Sequence, residues 1–386
     1  MTGGRPGRGP NAGDVLVQLG WDGRLAAAFG SIEEPGVEPG RVVAVHRGAA
    51  AVRIGAGEFR AVLAGALRET AVEPTDYPVA GDWVAVQLPD ESKAGVSGAA
   101  GTAIIRAIVP RRGVLVRTAR DASRRGRATV HDQQLLAANV DVAFVVDSFD
   151  GGPNLRRLER YLALAWSSGV EPVVVLNKSD LVDALEAARA RATVEAIAPG
   201  VTILLTTATQ ADAINGVAEA IGAGRTAVVI GPSGAGKSTI VNRLLGGQRQ
   251  ATRPVRVDDR RGRHTTTVRQ LFVLPGGGMV IDTPGIRGLE LAVEDVSLDL
   301  AFGDIGAIAK SCRFADCRHE EEPGCEVQRA IQDGRITPDR LANARKLQAE
   351  ARNRAQVGTA DPGNRKRRGK ILSRAIRQHY RLKESG

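Results

Sequence analysis

Asn177-Lys178-Ser179-Asp180 precedes Gly231-Pro232-Ser233-Gly234-Ala235-Gly236-Lys237-Ser238-Thr239, and Asp282-Thr283-Pro284-Gly285 follows both. The middle stretch has the Gly-x4-Gly-Lys-Ser form of a phosphate loop. Just ahead of it, Ala227-Val228-Val229-Ile230 is a short apolar, β-branched run suited to a buried parallel strand. Just after it, residues 238–245 read as a helix whose N-terminus faces the loop. In that setting the glycines let backbone N–H groups converge on phosphate oxygens, helped by the helix dipole. Gly231, Ser233, Gly234, Ala235, Gly236 and Thr239 form the cradle. Lys237 reaches the β- and γ-phosphates, and the Ser238 hydroxyl ligates Mg²⁺.

The four residues that come first supply the base. Pro172-Val-Val-Val-Leu176 is another buried-strand run, so Asn177 stands at a strand's carboxyl end, where open α/β sheets bind ligands. A carboxylate at Asp180 accepts hydrogen bonds from the N1–H and the exocyclic amine of guanine, a donor pair that adenine lacks. Asn177 holds the loop and the purine, and the Lys178 stem covers the base face. After the apolar run 201–205, Thr207 and Ala208 fall where a GTPase closes its last loop on the base. Phosphate loop first and guanine reader later is the ordinary order. The reverse order here points to a circularly permuted α/β GTPase binding GTP and GDP.

Asp282 ends the run Gly278-Met-Val-Ile281 and is placed to hold Mg²⁺ through a water, with the Gly285 N–H toward the γ-phosphate. Upstream, Gly262-Arg263-His264-Thr265-Thr266-Thr267 lies in an Arg-rich stretch. A threonine there can close on Mg²⁺ in the GTP state and release after hydrolysis. Thr266 or Thr265 is the candidate. The residue after Gly285 is Ile286, where Ras-like sites carry a water-orienting Gln. Another group must place the nucleophile, with His264 the nearest candidate. A plain surface histidine is the competing reading, and completion of the site by a partner is a third.

All three cysteines fall in Cys312-x4-Cys317-x-His319-x5-Cys325. An odd number of thiols with an interposed imidazole argues for a closed tetrahedral zinc site of structural type, not a disulfide framework. The formal charge of +10 favours a polyanionic partner. The run Arg365-Lys366-Arg367-Arg368-Gly369-Lys370 concentrates positive charge near the C-terminus and suggests contact with RNA phosphates. Neither an apolar leader nor a stretch long enough to span a membrane is evident, so a cytoplasmic protein is expected; a monomer is expected as well. Between 41 and 117, five short runs (41–46, 50–54, 82–87, 103–109 and 114–116) suggest a small β-barrel of OB type. Trp83 reads as core, not as a stacking platform.

Taken together, these motifs resemble the ribosome small subunit-dependent GTPase family (RsgA, also called YjeQ). The resemblance rests on the permuted motif order and on the Cys312/Cys317/His319/Cys325 signature with its Glu322-Pro323. It is supported by Gly81-Asp82-Trp83-Val84 and Ile108-x-Pro-Arg-Arg112, and it covers nearly everything after residue 36. It implies a multidomain chain: an OB-fold, a circularly permuted P-loop GTPase domain and a small α-rich zinc-binding domain. The boundaries expected are 1–35 for a flexible N-terminal extension, 36–117 for the barrel, 118–295 for the GTPase and 296–386 for the zinc domain with its basic tail. It also implies GTP hydrolysis stimulated by the small (30S) ribosomal subunit, contact with its 16S rRNA, and a role in late maturation of that subunit. A permuted GTPase of the large subunit would share the guanine motifs but not this zinc spacing and barrel. A zinc-stabilised RNA-binding protein that senses GTP without useful turnover is the reading from a different class.

Overall fold

The computed structural model describes residues 12–46, 48–71, 74–89, 102–118, 133–207, 212–246, 269–282, 298 and 301–358. Its first unit is built around five short strands: β1 (Glu38–His46), β2 (Ala49–Ile54), β3 (Gly57–Leu63), β4 (Trp83–Gln87) and β5 (Ala103–Ile108). They pair in the order β1-β2-β3-β5-β4, and β4 returns to β1, so the sheet closes into a barrel. All the pairings are antiparallel except β3 with β5. Val42, Val52, Ile54, Val84, Val86 and Ile105 fill the interior. Closure leaves the barrel without a free edge, the usual hazard of a small all-β unit.

The membership of the barrel differs from the sequence reading at one strand. The run 114–116 instead enters β6 (Leu115–Thr118), which pairs with β7 (Gln133–Ala137) in a separate ribbon. The missing barrel strand is β3, Gly-Glu-Phe-Arg-Ala-Val-Leu, whose exposed Glu58 and Arg60 break up its apolar character. Helix α3 (Gly65–Thr70) follows it. Trp83 is 1% exposed, in the core as expected.

Residues 12–35 also depart from expectation, because much of this supposed flexible extension is helical. α1 (Ala12–Gln18) and α2 (Gly23–Gly30) are separated by a turn, and Asp22 caps α2 by accepting from the Leu25 N–H at 2.8 Å. Leu19 and Leu25 are buried, and the Trp21 ring packs edge-on to Trp83 at 4.7 Å. Burial of these apolar groups against the barrel base is what orders the segment.

The second unit is a six-stranded sheet. Its strands are β8 (Val142–Ser148), β9 (Glu171–Asn177), β10 (Thr202–Leu205), β11 (Thr226–Ile230), β12 (Gln270–Val273) and β13 (Met279–Asp282). The spatial order is β10-β9-β8-β11-β13-β12, parallel except for β12. Helices α4 (Leu155–Ser167) and α5 (Ala184–Ile197) cover one face, α6 (Asn215–Ile221) and α7 (Lys237–Leu244) the other. Alternation along β8 shows this directly: Ala143 and Val145 pack with Leu158 and Leu162, whereas Val142, Phe144 and Val146 pack with Ile240 and Leu244. β8 and β11 are neighbours whose following helices lie on opposite faces, which makes the gap between their carboxyl ends a topological switch point.

β12 also pairs with barrel strand β1 through Ala44 and Gln270, so barrel and sheet form one hydrogen-bonded array. Among the described residues, no helix is long and apolar enough to cross a membrane. The C-terminal segment adds α8 (Gly303–Ala309), α9 (Glu326–Gln332) and α10 (Pro338–Gly358).

α10 returns to lie on α4. Arg340 sends Nη1 to buried Glu159, while its Nε and Nη2 reach Asp304 at 2.9 Å each. Asn343 donates to the other Glu159 oxygen, and the Arg340 guanidinium also stacks over Phe302 at 5.2 Å. Burial pushes the Glu159 carboxyl up, opposed by its bonds to Asn343 and Arg340. Removing one partner of such a pair strands a buried charge, at a cost of about 3–5 kcal/mol. Arg340→Ala is therefore expected to lower stability by about that amount in urea unfolding. A loss below about 1 kcal/mol would show that the contact between α4 and α10 does not depend on the pair.

Candidate nucleotide site and metal centre

The phosphate-loop segment leaves β11 at Gly231 and enters α7 at Lys237. Two glycines in it are dictated by space as well as by backbone angle. At Gly231 (φ 148°) a Cβ would sit 2.1 Å from the Val146 carbonyl oxygen of β8; at Gly236 (φ 90°) it would sit 2.1 Å from Asn177 Nδ2. Gly236 provides no side chain to cap α7, leaving the helix's first N–H groups facing the loop. Lys237 Nζ folds back onto the Pro232 carbonyl, and Ser233, Ser238 and Thr239 are exposed while Ala235 is buried. The arrangement is a backbone cradle with a cation and hydroxyls at its mouth, the chemistry that holds a polyphosphate.

The first motif of the chain meets this loop directly. Asn177, 2% exposed at the end of β9, donates from Nδ2 to the Ala235 carbonyl at 2.8 Å. That bond joins segments 58 residues apart and fixes the loop after β9 against the loop after β11. Lys178 adopts a left-handed conformation (φ 61°), and its Nζ pairs with Asp150 at 2.9 Å. Asp180 projects from a 3₁₀ turn over Ser179–Leu181 and is exposed. The Ser179 N–H donates to the Thr206 carbonyl at 3.1 Å, so the loop containing buried Thr207 lies beside the same motif. Asp282 stands half-buried at the end of β13, on the same sheet edge. Ala208, His264, Thr265, Thr266, Gly285, Ile286 and the basic run 365–370 lie outside the described residues.

Two acidic residues near the site were not singled out from sequence. Asp147, 1% exposed at the end of β8, accepts from Arg157 Nη2 at 2.7 Å, the Ser148 N–H at 2.9 Å and the Asn154 N–H at 3.1 Å. It folds the loop between β8 and α4, and that loop presents Asp150 to Lys178. An acidic residue closing the apolar run 142–146 was the available signal.

Cys312, Cys317, His319 and Cys325 come together with all four ligand atoms within 4.8 Å of one another. His319 Nδ1 is 3.6 Å from both the Cys312 and Cys325 sulfurs. A tetrahedral zinc with Zn–S of about 2.3 Å and Zn–N of about 2.0–2.1 Å requires an S···N edge of about 3.6 Å, so the quartet fits this ion. Surrounding bonds orient the ligands. Glu322 accepts from the Arg318 and Glu320 N–H groups at 2.7 Å each, and the Gln328 N–H points at the Cys325 sulfur at 3.4 Å. His319 is itself left-handed (φ 61°), held by a bond from the Gln328 side chain to its carbonyl.

A parallel sheet with a phosphate loop at its switch point, a guanine-type motif one strand away and those motifs in reversed chain order define a circularly permuted P-loop GTPase. A profile of the RsgA GTPase family matches residues 108–292. The Small ribosomal subunit biogenesis GTPase RsgA of Opitutus terrae is 41% identical over 368 residues, covering 95% of each chain. Its namesake from Streptomyces coelicolor is 42% identical over 370 residues, covering 94% of this chain and 95% of the relative. The crystal structure of YjeQ from Thermotoga maritima matches with a TM-score of 0.58 at 26% identity, covering 82% of this chain and 98% of that one. The chain belongs to the RsgA GTPase family.

The fit of the Cys₃His quartet carries its own test. Elemental analysis of the purified protein is expected to find about one zinc per chain, and Cys317→Ala to abolish it. Because structural zinc contributes folding free energy locally, the variant should lose protection from proteolysis around residues 301–335 and keep nucleotide binding. Native protein free of metal would refute the assignment.

Proposed function

We propose that this GTPase acts in biogenesis of the small ribosomal subunit, docking on that subunit and its 16S rRNA and hydrolysing GTP there. The observation that carries the nucleotide part is the buried bond from Asn177 to Ala235, which unites the guanine motif and the phosphate loop in one pocket. The names of the relatives, which span nearly the whole chain, support the ribosomal part. The charge of +10 suits an RNA partner. A cytoplasmic, monomeric protein accords with this role.

Within the pocket, Asp180 reads the guanine N1–H and amine, the Lys178 stem covers the base with its ammonium steadied by Asp150, and Thr207 with Ala208 closes the far side. Gly231, Ser233, Gly234, Ala235, Gly236, Ser238 and Thr239 surround the phosphates, with Lys237 swinging from Pro232 to the β- and γ-oxygens. Ser238, Asp282 and Thr266 are the residues to hold Mg²⁺, which supplies charge neutralisation on the phosphates. The Gly285 N–H meets the γ-phosphate. Catalysis here is positioning and electrostatics, since phosphoryl transfer leaves the protein little covalent work. Ile286 has no group that can orient water, so His264 serves that purpose in the complex with the subunit.

Two measurements test these roles. Asp180→Asn exchanges an acceptor-only group for one that also donates. It should weaken GTP binding and relax discrimination against xanthosine triphosphate by an order of magnitude or more. An unchanged ratio of the two affinities would remove Asp180 from base recognition.

Turnover by the free protein should be slow, and small ribosomal subunits should raise it at least about tenfold, a cautious figure beside the roughly 10³–10⁵ that completion of a GTPase site can give. His264→Ala should lose most of that gain while keeping GTP affinity and subunit binding. Equal rates with and without subunits would defeat the activation reading and favour a GTP sensor. A fully stimulated His264→Ala enzyme would clear only the histidine.

A further inference from the structure

Arg41 of β1 is among the largest fully buried side chains of the described residues, at 2% exposure, and the hydrogen-bond partners of its guanidinium are all neutral. Nε donates to the Gly81 carbonyl at 3.3 Å, in the turn leading to β4. Nη1 donates to the Leu19 carbonyl behind α1 and lies 3.5 Å from Met279 Sδ at the start of β13. Nη2 donates to the Asn139 carbonyl at 3.3 Å and to the Thr226 hydroxyl at 2.8 Å, at the start of β11. The plane lies over the Trp83 ring at 5.3 Å. One side chain thus touches the N-terminal helices, the barrel, the lead-in to β8 and the feet of two GTPase strands. Asp141 and Asp82 act on it only at longer range, against the like charge of Arg112, and burial lowers its pKa to about 10.

A cation so placed is a poor device for stability alone, since apolar residues of similar volume commonly fill such positions at equal or lower cost. Its value lies in what it joins. β11 runs from Thr226 straight into Gly231, and β13 runs from Met279 to Asp282. A second junction ties the same barrel strand to the other end of β13: Ala44 of β1 pairs with Gln270 of β12, and Gln270 pairs with Asp282. β1 therefore grips β13 at its foot through Arg41 and at its head through β12. Buried strands transmit a displacement at one end to the other because the close-packed core around them resists deformation.

We propose that Arg41 is a positioning residue for GTP hydrolysis, coupling the barrel to the phosphate loop and Asp282 through β11 and β13. The proposal rests on the function proposed above and takes the barrel as a surface that the ribosomal subunit touches. Coupling of this kind is reciprocal, so nucleotide state at the sheet edge also sets the affinity of the barrel for the subunit.

The most selective variant is Thr226→Val, which deletes the hydroxyl accepting from Arg41 and keeps a β-branched shape. Thr226→Ser keeps the hydroxyl, and Arg41→Lys keeps the charge but not the fork. In full-length protein, Thr226→Val and Arg41→Lys should hold GDP affinity within about twofold of wild type. Each should lose roughly fivefold or more of the acceleration by small subunits, and the preference of subunits for one nucleotide state should shrink by a comparable factor. Thr226→Ser should behave as wild type. Variants that melt lower yet keep the full acceleration and nucleotide preference would overturn the proposal, as would a Thr226→Ser protein as impaired as Thr226→Val.

Amide exchange in the free protein separates this idea from the functional reading. Exchange at β1 and β4 should differ between GDP and a non-hydrolysable GTP analogue in wild type, and Thr226→Val should erase the difference. No difference in wild type would sink the coupling whatever the ribosome does. A nucleotide-sensitive barrel in a protein that subunits fail to stimulate would sink the ribosomal role and leave the coupling standing.

Discussion

The parallel pairing of β8 with β11 is the constraint on which the nucleotide site depends. These two strands come from halves of the domain whose chain order is exchanged, and Val142 to Val145 register against Ala227 to Ile230 across the join. The approach is so close that Gly231 cannot carry a side chain beside the Val146 carbonyl. Once that ladder forms, the carboxyl ends of β8, β9, β10, β11 and β13 share one edge, and the loops leaving them converge irrespective of which half was synthesised first. Permutation therefore costs the pocket nothing. What changes is where the chain enters and leaves: at β8 behind the barrel, and at β13 ahead of the C-terminal lobe.

The C-terminal lobe follows a different physical logic. The segment around residues 311–325 has few apolar side chains to bury, with Phe314 41% exposed and a run of three glutamates at 320–322. Four converging ligand atoms, with a metal between them, would supply the organisation that a hydrophobic core otherwise gives. The helices on either side do have a core: Phe302, Ile305, Val327, Ala330, Leu341, Ala344 and Leu347 belong to the cluster that continues onto α4. A metal held by the quartet would staple a loop whose two ends are anchored in packed helices, which suits a closed, structural site.

Local patterns were legible in the sequence where the chemistry itself is local. The phosphate loop, the guanine motif and the Cys₃His spacing are contiguous runs, and the strands feeding the first two are unbroken apolar stretches because helices cover both faces. β3 escaped notice because a barrel wall needs only alternate residues inside, and its first residues alternate with Glu58 and Arg60 facing solvent. The N-terminal helices escaped because each is short, and their order comes from Leu19, Trp21 and Leu25 meeting Trp83 and its neighbours across the fold. Hardest to foresee were single charged residues with distant partners. Arg41 and Arg340 carry no local pattern, and their nearest contacts in space lie up to 238 and 181 residues away.

Those two arginines show how the appended units use the permuted domain. The barrel attaches on the β12–β13 side, the half that ends at Asp282, through Ala44 and Arg41. The C-terminal lobe, although it follows β13 in the chain, crosses to the opposite half and packs on α4 through Glu159. From α4 the path to the loops after β8 and β9 is short: Arg157, two residues before Glu159, binds Asp147, whose loop presents Asp150 to Lys178. One appended unit therefore bears on β11 and β13, which lead to Gly231 and Asp282, and the other bears on the loops that carry Asp150 and Lys178. A rigid partner engaging both at once would load the pocket from two directions, and the Asn177–Ala235 bond, where the two halves of the pocket meet, is the place where those loads would combine.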